Sequence, residues 1–132
     1  MTLVPEALPP EPDDDLRTLL LGFRGRLARK PFWLYGVVGV SLAQLIAYAL
    51  LGIAGAGERA ADAISTLLVV WPGLAISVKR WHDRGKSGWW VLINLIPLVG
   101  IVWTIVECGF LRGTPGPNRF GPDPLGRTDL PQ

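Results

Sequence analysis

Lys79-Arg80-Trp81-His82-Asp83-Arg84-Gly85-Lys86-Ser87-Gly88-Trp89-Trp90 decides how this chain is read. Four basic residues and one acid stand between two apolar runs, one ending at Val78 and the other starting at Trp89. A Lys or Arg at the centre of a bilayer costs about 2.5–3.5 kcal/mol on insertion scales. Four together do not lie in hydrocarbon, whereas the flanking runs have little reason to leave it. The stretch therefore reads as a tight aqueous loop pinned at a membrane surface. Trp81, Trp89 and Trp90 mark that surface, because indole rings favour the headgroup layer.

Outward from this loop, the charges fall into blocks separated by charge-free stretches at residues 31–57, 63–78 and 87–106. Roughly 20 apolar residues span a bilayer. The first stretch exceeds that length, the second is marginal and the third meets it. The expected fold class is all-α, a polytopic membrane protein with three transmembrane helices at about 32–56, 61–79 and 88–110. Residues 1–15, with four prolines and Asp13-Asp14-Asp15, are expected to be disordered, the aspartates capping a short interfacial helix that starts at Leu16. This start is too acidic for a signal peptide, so the first span is expected to serve as an uncleaved anchor. Residues 113–132, dense in Gly and Pro, are expected to form an irregular tail.

Two basic blocks give one orientation. Arg24, Arg26, Arg29 and Lys30 precede the first span, and the central loop carries four more cations. By the positive-inside rule both face the cytoplasm, as does the N-terminus. Between spans one and two, Glu58, Arg59 and Asp62 carry no basic excess, as an outside loop should. Three full spans put the C-terminal tail outside. Pro97 and Gly100 weaken the third segment, and a bend there would instead make it a re-entrant hairpin with the tail inside. Within the first span Gly39, Ala43 and Ala47 recur at the spacing of close-packing residues, and Gln44 suits a hydrogen-bond link between helices. Ser87 suits the N-cap of the third segment.

Three patterns coincide along the chain. They are Gly25-Arg26 with Arg29, Phe32 and Trp33; Arg80, His82-Asp83 and Ser87-Gly88-Trp89-Trp90 with Ile96-Pro97-Leu98-Val99-Gly100; and Gly113-Thr114, Gly116, Asn118-Arg119-Phe120-Gly121 with Asp123-Pro124. In this order the chain, from about Phe23 to Pro124, resembles the YhaH-like family of small bacterial inner-membrane proteins, a domain of unknown function (DUF805). Trp81 stands where that pattern would have Leu, and Pro31 where it would have a polar residue. The resemblance implies a bacterial inner membrane and supplies no catalytic residues.

Chemistry is narrowly bounded. One His and one Cys, with Cys108 expected at the far end of the third helix, give neither a nucleophile–base pair nor a metal site. No enzyme activity, cofactor, metal or nucleic-acid partner is expected. The sharper expectation is a polar site for anionic lipid headgroups made by Arg24, Arg26, Arg29, Arg80, His82, Asp83, Arg84, Lys86 and Ser87, with Asn118, Arg119 and Asp123 as a tail motif that joins it if the tail is inside. The expected role is a structural or interaction component whose partners are membrane lipids, a second copy or other membrane proteins. The alternative is a subunit of an oligomeric transporter or channel, in which Gln44, Asn94 and Glu107 would supply the mid-depth polar groups.

Overall fold

A computed structural model describes residues 16–126. The expectations for residues 1–15 and 127–132 lie outside them. Every regular element among the described residues is helical.

Helix α1, Leu16–Leu21, is followed by α2, Arg29–Ile53, and α3, Glu58–Asp83. Both long helices are apolar and long enough to cross a membrane. They form a hairpin joined at residues 54–57. None of the most apolar window of α2 is buried, and only 22 % of that of α3 is. Leu45, Ile46, Leu50, Leu67 and Leu68 all face outward. So much contiguous exposed apolar surface suits lipid and not water.

The hairpin does not pack through the expected stripe of small residues, since Ala43 is exposed. Contact is made at Gly36, where a Cβ would stand 2.9 Å from Ile76 Cγ2, and at Gly73 beside Val40. Gln44 does link the helices, donating to Thr66 Oγ1 at 3.1 Å.

Two expectations are corrected at the charged stretch. The second helix does not stop at Lys79 but runs to Asp83. It ends at Gly85, in the left-handed region (φ 75°), where Gly85 N–H reaches His82 O (2.9 Å) and Lys86 N–H reaches Trp81 O (2.9 Å). This is a Schellman ending, for which glycine is favoured. Nor is the stretch an aqueous loop, because Lys79, Arg80, Trp81 and Asp83 are buried. Charges excluded from hydrocarbon have a second refuge besides water, the protein interior, provided that partners await them there.

The third segment is not one continuous helix. A 3₁₀ helix, Gly88–Leu95, with Ser87 as its N-cap, leads through residues 96–98 to α4, Val99–Phe110. At the tip Leu98 has φ 66° and ψ −57°, and Val99 N–H bonds Pro97 O at 2.7 Å. This is a γ-turn, a tight and strained reversal. A Cβ at Gly100 would overlap the backbone of Ile93 and Asn94, so only glycine lets the two arms close. Asn94 Nδ2 bonds Val91 O (3.1 Å), and Thr104 Oγ1 donates to Asn94 Oδ1 (3.0 Å).

With rises of about 2.0 and 1.5 Å per residue, the arms reach roughly 16 and 18 Å, against a hydrocarbon core of about 30 Å. The segment begins with Gly88 against Val78 and ends with Gly109 against Trp33, so it leaves and returns at the same end of the α2–α3 hairpin. The helix expected at about 88–110 is therefore not formed as one continuous element. The folded-back alternative describes the geometry.

Helix α1 runs beside α3. Its Thr18 and Leu19 carbonyls accept from Lys79 Nζ (2.6 and 2.5 Å), and that of Leu21 accepts from Trp71 Nε1 (3.0 Å). The chain then comes back, with Leu27 N–H bonding Lys79 O at 3.1 Å. The buried core of Leu27, Phe32, Ile76, Trp81 and Cys108 sits at this charged end, away from the middle of the hairpin.

Candidate functional site

A helix leaves its last four carbonyls without an intrahelical donor. In α4 and the residues after it, five consecutive carbonyls are met by side chains from elsewhere. Cys108 O accepts from Arg80 Nε (2.6 Å), Gly109 O from Trp33 Nε1 (2.8 Å) and Phe110 O from Arg29 Nη1 (2.9 Å). Leu111 O accepts from Arg80 Nη2 (2.6 Å), and Arg112 O from Arg84 Nη1. Cations at the negative end of a helix dipole are favourable in any case. Here the planar guanidinium forks also staple the third segment to α2 and α3.

Asp83 is the hub. It is 1 % exposed and pairs with Arg26 (3.0 Å) and, one turn back, with Arg80. Gly113 packs against the carboxylate so closely that a Cβ there would overlap it. Thr114 N–H bonds the Asp83 carbonyl at 2.6 Å. Arg26 extends the network into the tail, donating to the carbonyls of Thr114, Gly116 (2.6 Å) and Gly121 (3.3 Å). Arg80 adds Leu27 O at 3.3 Å.

Around this hub Glu107 accepts from Arg84 Nε (2.9 Å) and Lys86 Nζ (2.5 Å). Burial alone would raise the Glu107 carboxyl, but the hydrogen bonds from Lys86 and Arg84 outweigh it and hold it below the ordinary glutamate range. Lys86 also lies 4.8 Å above the Trp90 ring. Four cations (Arg26, Arg80, Arg84, Lys86) thus meet two carboxylates, and backbone carbonyls absorb the excess.

The tail folds onto the same end. His82 stacks flat on Phe120, with centroids 4.0 Å apart, and its Nδ1 donates to Gly25 O at 2.9 Å. Asn118 Nδ2 donates to His82 O (2.9 Å), and its Oδ1 accepts from Phe120 N–H (2.8 Å). Asp123 caps the tail's own turns, accepting from Gly116 N–H and Leu125 N–H, both at 2.9 Å.

The structure therefore brings together Arg26, Arg29, Arg80, His82, Asp83, Arg84, Lys86, Asn118 and Asp123. Arg24 and Arg119 stay on the exposed rim, and Ser87 serves as a helix cap, accepting from Trp89 N–H at 3.3 Å. The buried guanidiniums of Arg26 and Arg80 face protein carbonyls and not lipid. Cys108, expected at the far end of a third span, is buried beside Arg80, and burial pushes its thiol up to about 12, leaving it protonated at neutral pH.

Sequence reasoning did not assign Trp33, Lys79, Glu107 or Gly113 to this cluster. For Glu107 a signal existed. An acid that closes an apolar run is left alone by three spans and finds Arg84 and Lys86 when the run folds back.

The relatives agree with this picture of membrane-embedded helices. The chain is 39 % identical over 108 residues to inner membrane protein YhaH of Escherichia coli strain K12, covering 79 % of this chain and 88 % of that protein. It is 32 % identical over 105 residues to inner membrane protein YhaI of the same strain, covering 79 % and 86 %. No solved structure matches it. The family model described as "Protein of unknown function (DUF805)" matches residues 20–122, and with nearly the whole helical body inside that match the chain belongs to the DUF805 family.

Proposed function

We propose that this chain is a multi-pass protein of a bacterial inner membrane, with α2 and α3 crossing, the third segment re-entrant, and both N-terminus and tail in the cytoplasm. Its role is that of a structural or interaction component whose rim contacts anionic lipid headgroups. The observation that carries this is the partition of charge. Arg26, Arg80 and Asp83 are consumed in the internal network, while Arg24, Arg29, Lys30, Arg112 and Arg119 remain exposed at the same end. The opposite turn offers only Glu58, Arg59 and Asp62, with no basic excess. Exposed cations beside a membrane surface attract anionic headgroups by about 1 kcal/mol each.

Paired cytoplasmic and periplasmic reporters, fused after Gly126 and inserted at residues 54–57, test the topology. The expected result is a cytoplasmic tail and an external turn. An external tail would sink the proposal. The transporter reading gains nothing from the mid-depth polar groups, because Gln44 is spent on Thr66, and Asn94 on Val91 and Thr104.

A further inference from the structure

Two π-helical turns face each other at the charged end, Phe32–Gly39 within α2 and Ile105–Phe110 within α4. Such widened turns are rare and recur at functional sites. Beside their contact lies a groove of about 490 Å³ lined by Arg29, Lys30, Trp33, Leu34, Val38 and Gly109. That volume falls among ligand-sized sites. Its wall is fixed, because Trp33 is tethered through Nε1 to Gly109 O and its ring meets Phe110 edge-on at 5.8 Å. Its floor is apolar, and Leu34 (58 % exposed) and Val38 (56 %) face outward.

Its mouth is cationic. Arg29 spends one nitrogen on Phe110 O, and the fork has further donors. Lys30 is exposed and has no acceptor among the described residues. The neighbouring acids do not neutralise this pair, since Asp83 and Glu107 are held by other cations. A second apolar groove, along Val99, Val102 and Trp103, has no free charge at its edge, because its one acid, Glu107, is already paired.

We infer that the groove between the π-turns holds one anionic phospholipid, its phosphate at Arg29 and Lys30 and one acyl chain along Trp33, Leu34 and Val38. This rests on the headgroup reading above and narrows it from a rim to a single bound molecule. Charge complementarity at the mouth selects an anionic headgroup, and the apolar floor requires a tail.

The test reconstitutes the full chain in vesicles of equal phosphatidylglycerol and phosphatidylcholine, extracts it in mild detergent and counts retained lipid by native mass spectrometry. Wild type is expected to keep one phosphatidylglycerol per chain. Arg29→Ala/Lys30→Ala should lower that retention roughly 30-fold, and Lys30→Ala alone, which removes no hydrogen bond or ion pair to the described residues, about fivefold. Val38→Trp fills the groove from the lipid side with both cations intact, and should abolish retention. Arg24→Ala/Arg119→Ala should lower it far less than Arg29→Ala/Lys30→Ala, and Arg59→Ala at the opposite turn should leave it unchanged.

Retention that survives Val38→Trp overturns the groove. Retention that falls as far in Arg24→Ala/Arg119→Ala as in Arg29→Ala/Lys30→Ala overturns the groove and leaves the rim reading standing. Equal retention of the two lipids by wild type overturns both.

Discussion

At one end of the α2–α3 hairpin the chain turns through residues 54–57, and Glu58, Arg59 and Asp62 stand exposed. At the other end the side chains of Arg26, Arg80 and Asp83 are buried, held by the residues before the first long helix, the third segment and the tail. Both ends carry charges of both signs, but the charges act differently. Exposed charges gain little from pairing, because water already solvates them. Buried ones must be paired and hydrogen-bonded, and removing one partner strands the other. Fold specificity is therefore concentrated at the charged end of the hairpin, away from its exposed apolar faces.

That contrast can be broken in order of expected effect. Arg80→Ala orphans three carbonyls and leaves Asp83 with one fewer cation, and should destabilise by about 3–5 kcal/mol in denaturant titrations of the detergent-solubilised protein. A loss below ~1 kcal/mol would show the network to be ornamental. Gly113→Ala pushes a methyl into the Asp83 carboxylate, and the same titration should show a loss of about 1–3 kcal/mol.

Glu107→Gln should cost about 1 kcal/mol, since its two ion pairs are partly open to solvent. The sign of its pH dependence follows from the depressed carboxyl. The contribution is fully present above the ordinary glutamate pKa and is lost as pH falls through the lower folded value. An acid melting series should therefore show wild type and Glu107→Gln converging at low pH. Convergence at high pH instead would reverse the assignment. At the far turn Arg59→Ala should change stability by no more than ~0.5 kcal/mol. A larger loss there would mean the two ends are not so different.

Much of the hairpin was legible in the sequence. Charge-free runs gave two long helices, Gln44 proved a link between them, and Ser87 proved a cap. The third segment was not legible as a single outcome, because hydropathy counts apolar residues and not direction. A reversal at Leu98 leaves the count unchanged, and Pro97 and Gly100 signalled weakness without saying which way the chain would go. The burial of Arg80 was hidden for a related reason. Hydropathy treats an arginine as a residue that must reach water, whereas Arg80 donates to three carbonyls 28 or more residues away in sequence, besides its pairing with Asp83. Such pairing belongs to tertiary structure, and no local pattern encodes it.

The run of five occupied carbonyls also fixes an order of events during synthesis. Arg26 and Arg80 are translated before residues 108–121, so the first two helices are made before most of the acceptors of these guanidiniums. The last quarter of the polypeptide then acts as a late-arriving latch. A chain ending before Cys108 would keep both long helices but lack the carbonyls of Cys108 and Leu111 that hold Arg80.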